Sequence, residues 1–240
     1  MSSWRKAIKQ VPGVRPVGRW LRDLLHPHHR AVRAIAKAHP GLLLQPEATT
    51  SAGRYPEIIA FVSADLAALA EPRVLSWGCS TGAELIALRS ALPRARIVGV
   101  DINPRSLKIA AQLTSGMEGI TLVQSGDPAD LAGQTFDAVL CLAVLRHARL
   151  QEEQPLSSRA ILPFAQAEKF IAALTALVRP KGLLGLWNVH FRLADMRIAP
   201  AFPVVLELAK GLQANRPLYG PDDRRMDAAT CLAAVYRRRG

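Results

Sequence analysis

The sequence predicts an α/β protein: a doubly wound, mostly parallel sheet preceded by an N-terminal helical extension. Three observations carry this. From Arg73 to Asn188, short apolar runs alternate with stretches of helical periodicity, the pattern of a parallel sheet covered on both faces. The first run ends in a glycine-containing turn, Gly78-Cys79-Ser80-Thr81-Gly82, and the next two end near Asp101 and Asp127. Half of the 240 residues are hydrophobic and 21% are charged, a composition that excludes a disordered chain.

Taken in order, Val17, Trp20, Leu21, Leu24 and Leu25 follow the spacing of one helical face, and Pro27 is expected to stop or kink that helix. Ala31, Ile35 and Ala38 form a second apolar stripe, with Arg30, Arg33 and Lys37 on another face. Residues 41–54 read as an ordered loop or linker. Pro56 to Leu69 reads as a helix through Ile58, Ile59, Val62, Leu66 and Leu69, ended by Glu71-Pro72. The strands follow: Arg73–Trp77, Arg96–Asp101, Ile120–Gln124, Phe136–Leu142 and Leu183–Asn188. Helices are expected over Ala83–Leu92, after Asn103-Pro104 (proline at a first helical position), and from about Pro163 to Val178. Phe136-Asp137 reads as a strand start. The expected division is a basic helical arm or cap over 1–54 and a ligand-binding domain over 55–240.

Charge and cysteines bound the function. The formal net charge is +12, but it is uneven: residues 1–40 hold nine Lys/Arg against one acid, Asp23, and a second basic cluster is Arg237-Arg238-Arg239. Cys79, Cys141 and Cys231 are odd in number and far apart, so neither a disulfide framework nor a structural zinc site is expected, and the setting reads as cytoplasmic. His26, His28 and His29 are interrupted by Pro27 and lack a carboxylate partner; no metal site is expected. The longest apolar run, Ala138–Leu145, falls far short of the ~20 residues of a membrane span. No secretory signal is expected either, since the basic start is not followed by an apolar stretch.

In open parallel sheets, ligands bind outside the carboxyl ends of the strands, at the switch in strand order. Candidate residues therefore stand just after strands one to four. Gly78 and Gly82 let the backbone turn sharply and approach a ligand, and the next helix presents free N–H groups to an anionic part of it. Asp101 is placed to accept from two ribose hydroxyls and disfavours a 2′-phosphate. Asp127, beside Gly126, is placed to accept from an adenine amine, with Ile102 and Leu142 flanking the ring. Taken singly, Asp101 reads equally as a helix cap and Asp127-Pro128 as an ordinary turn.

Val74-Leu-Ser-Trp-Gly-Cys-Ser-Thr-Gly-Ala-Glu84, Val98-Gly-Val-Asp101, Ser125-Gly-Asp127 and Phe136-Asp-Ala-Val-Leu140 together resemble the class I S-adenosylmethionine-dependent methyltransferases. The likeness extends through Leu177-Val-Arg-Pro-Lys-Gly-Leu-Leu184 and covers about 73–188 together with the C-terminal strands. Gly-Cys-Ser-Thr-Gly and Cys141-Leu-Ala-Val-Leu145 are also similar to the chemotaxis-receptor methyltransferase branch, over a shorter stretch. The resemblance implies a Rossmann-like fold and S-adenosylmethionine as cofactor. Gly78, Cys79, Ser80, Thr81 and Gly82 would hold its methionine part, Asp101 the ribose diol and Asp127 the adenine amine. Two departures stand out: Ser76 occupies a place where many members carry an acid, and Ser80 replaces a glycine. Glu84, in the first helical turn, then becomes the candidate partner of the methionine ammonium.

The same fold admits a nicotinamide-dependent oxidoreductase. Its fingerprint would read Gly78-x-Ser80-x-x-Ala83, which lacks the middle glycine, places Gly82 one position early and has no legible second domain. A third reading is a methyltransferase-like binding or regulatory module acting through the basic arm. For catalysis, His147, five residues after Leu142, is the candidate base; its alternative is a helix-surface histidine. Tyr55 is a candidate for the cofactor entrance, and Asn188 and His190 lie just past strand five. The expected acceptor is a small molecule, ahead of RNA or protein. The arm is open to RNA, an anionic membrane surface or a second subunit as partner, beside the plain role of a solvated lid.

Overall fold

The computed structural model describes residues 27–46, 53–209, 216–227 and 230–240. The chain forms two compact units, Met1–Pro40 and Gly41–Gly240. In the first, helix α1 (Pro27–Ala38) carries the expected second stripe, with Ile35 buried and Arg30, Arg33 and Lys37 exposed. The stripe from Val17 to Leu25 lies outside the described residues. In the second unit Leu44 enters the core, which places residues 41–46 with the body and not with an arm running to 54.

Helix α2 (Pro56–Leu66) starts at Tyr55, whose φ of 59° is left-handed, with Pro56 in the first turn. It buries Ile58, Ile59, Val62 and Leu66 and stops a turn before the expected Leu69, which is 41% exposed and so adds little burial to extend it. Then come β1 (Arg73–Trp77), α3 (Ala83–Ala91), β2 (Arg96–Asp101), α4 (Pro104–Leu113), β3 (Ile120–Gln124) and β4 (Phe136–Leu142). The four strands match their expected bounds. Asn103 caps α4, its side chain accepting from Arg105 N at 3.0 Å. Short α5 (Ala148–Glu153) and α6 (Phe164–Ala176) lead to β5 (Val178–Trp187), which begins earlier than expected. A break in register between Phe136 and Ala138 accommodates Arg179-Pro180-Lys181-Gly182.

Among the described residues the main sheet has seven strands, in the order β3-β2-β1-β4-β5-β9-β6. Its last members are β6 (Val204–Glu207) and β9 (Ala233–Arg237); β7 (Leu218–Tyr219) and β8 (Arg225–Met226) form a separate small hairpin. The first five strands are parallel, whereas β9 pairs antiparallel with both β5 and β6. Strand β4 shows why both faces are covered. Phe136, Val139 and Cys141 feed one core layer with Trp77, Phe170 and Leu174, while Ala138, Leu140 and Leu142 feed another with Ile58, Leu85 and Leu88. Alternate side chains of a strand point to opposite faces, so a strand apolar throughout requires helices on both. Trp77 meets Phe170 edge-on, ring centroids 5.8 Å apart.

The C-terminal basic cluster is partly used inside this fold. Arg237 pairs with Asp65 at 2.5 Å, and the Arg238 guanidinium donates to Val178 O. No helix of the described residues is long and apolar enough to cross a membrane.

Candidate active site

The strand order reverses around β1, which has β2 on one side and β4 on the other; the crevice at that switch is where the candidate residues gather. The turn after β1 is held by its own backbone: Gly78 N and Cys79 N both donate to Val100 O, at 2.7 and 2.9 Å. Gly82 has a φ of 90° and opens α3, and a Cβ there would meet Ala110 of α4 at 3.1 Å. Gly78, with a φ of 76°, abuts Val144, whose Cγ2 would lie 2.4 Å from an added Cβ. The turn after β1 therefore packs against the segment after β4.

Between these glycines Ser80 also has a positive φ, 51°, a conformation that costs a non-glycine residue energy and is concentrated at functional sites. It is held there by Asp101: Ser80 N donates to Asp101 Oδ2 and Asn103 N to Oδ1, both at 2.8 Å. The Ser80 hydroxyl is buried and without a partner. Asp101 thus ties the turn after β1 to the start of α4, and each carboxylate oxygen keeps a further lone pair. Burial raises its pKa, while the two backbone N–H bonds oppose that shift.

Ser76, where an acid was missing, donates its hydroxyl to Glu84 Oε1 at 2.6 Å. A carboxylate from α3 therefore sits against the end of β1. Burial pushes the Glu84 pKa up to about 7, opposed by the Ser76 bond and the nearby Arg54 charge. The Cys79 thiol is held protonated by burial and by Asp101 and Glu84, so it packs and does not react.

On the other side, Ile102 Cδ1 and Leu42 Cβ crowd the space over Gly126, 2.5 and 3.1 Å from a Cβ placed there. Asp127 accepts from Ala129 N at 3.0 Å and so caps the turn Pro128–Leu131; one of its oxygens is engaged and the other is not. Leu142 is buried at the end of β4.

His147 is the cap of α5: its Nδ1 accepts from Arg149 N at 3.2 Å. Burial first, then the Arg149 charge, pushes its pKa down to about 4. The ring is neutral at pH 7, and with Nδ1 accepting, Nε2 bears the hydrogen. The geometry offers a donor where a base was expected.

Tyr55 and Asn188 meet, as neither strand nor helix periodicity foretells. Asn188 Nδ2 donates to the Tyr55 hydroxyl at 2.8 Å, and Arg54 donates to the same oxygen at 2.6 Å. Asn188 Oδ1 is buried and unpartnered. His190 is fully buried, its Nδ1 2.8 Å from Pro217 O and its Nε2 3.2 Å from His147 O. It joins segments and does not face a ligand. Sequence reasoning did not single out Arg54, Arg146 or Arg216, which surround this corner. Arg146 stands beside His147 just past β4 and was open to notice, whereas nothing local marks Arg216.

A seven-stranded, mostly parallel sheet in this order, with a glycine-bearing turn after β1 and Asp101 and Asp127 at the ends of β2 and β3, defines a Rossmann-like fold. Residues 75–184, under half of the chain, match the family model described as a methyltransferase domain, and that segment resembles the class I S-adenosylmethionine-dependent methyltransferases. The cofactor of that class is S-adenosylmethionine. An uncharacterized protein of Synechococcus is 30% identical over 135 residues, 54% of this chain and 28% of that protein. The chain thus spans under a third of that relative's length. Among solved structures, the N-methyltransferase NodS of Bradyrhizobium japonicum in complex with S-adenosylhomocysteine is similar in fold, with a TM-score of 0.50 at 17% identity, covering 87% of this chain and 98% of that one.

The residues present fit that cofactor. The turn carries an orphaned buried hydroxyl at Ser80 and leaves no room for side chains at Gly78 and Gly82. Asp101 keeps lone pairs, and the Ser76–Glu84 pair puts a carboxylate beside the turn.

Proposed function

We propose that this chain transfers the methyl group of S-adenosylmethionine to a small-molecule acceptor. The observation that carries the reading is the Asp101 carboxylate, which orders the turn after β1 through Ser80 and faces the crevice between that turn and α4. In this reading Asp101 accepts from the ribose diol, Ile102 and Leu142 flank the adenine, and the unengaged oxygen of Asp127, next to Gly126, accepts the adenine amine. Gly78, Cys79, Ser80, Thr81 and Gly82 lie along the methionine portion, and Glu84 pairs with its ammonium. The cofactor supplies a methyl already activated on a sulfonium. The protein's share is then positioning, which for well-held reactants is worth roughly 7–11 kcal/mol. The three free, buried cysteines suit a reducing compartment, and we place the protein in the cytoplasm on that ground.

Isothermal titration with S-adenosylmethionine and S-adenosylhomocysteine tests the reading. Saturable binding of both is expected. Absence of binding of either at millimolar concentration overturns it, and so leaves the binding-module alternative.

His147 has a separate test. Asparagine caps helices well but cannot take a proton, so His147→Asn preserves the cap and removes the imidazole. Turnover within about threefold of the parent is expected, since a general base contributes roughly 10²–10⁴-fold. A hundredfold fall in kcat at unchanged KM and thermal stability would assign His147 to proton transfer.

A further inference from the structure

Past the ends of β4 and β5, three separate pieces of chain are sewn together around His190. Its backbone N donates to Leu145 O at 3.1 Å, its ring lies between Pro217 O and His147 O, and Tyr219 N donates to its carbonyl at 2.9 Å. The residues next to these anchor points are Arg146 and Arg216. Val144, two residues before Arg146, is the side chain packed on Gly78, so this corner borders the cofactor turn on the side away from Ile102 and Gly126.

The corner is rich in positive charge, and no carboxylate offsets it at Arg216 or His190. Arg146 Nε and Arg216 Nη1 are buried nitrogens without a hydrogen-bond partner, and among the described residues neither side chain forms an ion pair. Arg216 is destabilised as a cation by burial and by Arg146 and Arg54, with only the Tyr55 hydroxyl acting the other way. His190 feels Arg146 and Arg216 in the same sense. A buried N–H left unpaired is costly, more so when charged, and two like charges in one partly buried corner add to that. An arrangement so unfavourable on its own is one that a bound anion relieves.

Building on the methyltransferase reading, we propose that the methyl acceptor carries an oxyanion, a carboxylate or phosphate, seated between Arg146 and Arg216. Guanidinium N–H groups match the planar or tetrahedral oxygens of such groups. The unpartnered Asn188 Oδ1, held by the bond from Nδ2 to Tyr55, faces an acceptor's donor group and cannot bind the oxyanion itself. The acceptor is thus a small molecule with an anionic end and a hydrogen-bearing one.

The test uses the full chain loaded with S-adenosylhomocysteine and three probes: inorganic phosphate, benzoate and neutral benzamide. Titration calorimetry is expected to show phosphate or benzoate binding at least tenfold tighter than benzamide, the better of the two naming the kind of anion. Arg146→Gln and Arg216→Gln should each weaken the preferred anion about tenfold or more, with S-adenosylhomocysteine affinity within twofold of the parent. Arg146→Lys and Arg216→Lys, which keep the charge, guard against loss by misfolding and should recover part of the affinity. The proposal is overturned if benzamide binds as well as the anions, if both glutamine variants bind anions like the parent, or if S-adenosylhomocysteine affinity falls in step, which would give the arginines to the cofactor. Failure of the parent to bind S-adenosylhomocysteine defeats the cofactor reading alone. The anion titrations, repeated without it, still decide this one.

Discussion

Asp101→Ala is expected to weaken S-adenosylhomocysteine binding by about ten- to a hundredfold and to lower the melting temperature of the free protein. The two losses share one cause. The carboxylate accepts Ser80 N and Asn103 N at 2.8 Å each, and removing it leaves two backbone donors unsatisfied at roughly 1–3 kcal/mol apiece. Ser80, at a φ of 51°, is then no longer held in its costly conformation, and the turn after β1 relaxes. On top of this comes the loss of charge-assisted bonds to the ribose. Asp101→Asn sharpens the point: an amide nitrogen cannot accept, so one of the two backbone bonds fails while shape is kept. Calorimetry and thermal melting read both effects. An affinity unchanged in Asp101→Ala would mean that the ribose does not sit at the end of β2.

S-adenosylhomocysteine binding should strengthen as pH rises from about 5 to about 7 and level off above. Glu84 has a pKa raised to about 7, chiefly by burial, so below that pH the free protein holds it neutral. Pairing with the methionine ammonium requires the carboxylate, and binding must therefore release a proton: up to tenfold in affinity per pH unit at the steep part. For the free protein the sign is the reverse. A raised folded pKa means that Glu84's contribution to stability is present below its unfolded value of 4.5 and is lost as pH climbs to about 7. His147 runs against it: its pKa is depressed from 6.5 to about 4, so its contribution is full above 6.5 and is lost as pH falls toward 4. The Glu84 component is therefore isolated by difference, comparing the parent with Glu84→Gln. That variant should bind S-adenosylhomocysteine more weakly at pH 8 and with a flat pH profile between 5 and 7. A parent profile that is already flat would remove Glu84 from the ammonium site.

Much of this was legible in the chain because it is local. Strands β1 to β4 took their predicted bounds, since Arg73–Trp77 lies between Pro72 and Gly78, and Phe136–Leu142 is apolar at every position but Asp137. The departure at Ser76 was also legible, and so was its repair: Glu84 is eight residues on, in the first turn of the next helix, and the 2.6 Å bond between them needs only the strand-turn-helix to form. The C-terminal strands were implied by the family resemblance but not placed on residues. Ala233-Ala-Val-Tyr-Arg237 has weak strand propensity, and β9 exists because β5 and β6 flank it on either side.

His147 shows the limit for a single residue. Its position past β4 is a matter of sequence, but its role as a helix cap depends on Arg149 N reaching its ring nitrogen, a consequence of where α5 begins. The arginine corner lies further still from anything local. Arg146 and Arg216 stand 70 positions apart in the chain and share a neighbourhood only because His190 bonds to backbone on both segments. The sequence by itself determined the layered sheet, the glycine-bearing turn after β1 and the acids that follow the next two strands, all written in local periodicity and spacing. Tertiary structure alone decided which charges face one another. Whether a guanidinium is solvated or buried without a partner is a property of the packed corner, and no pattern along the chain records it.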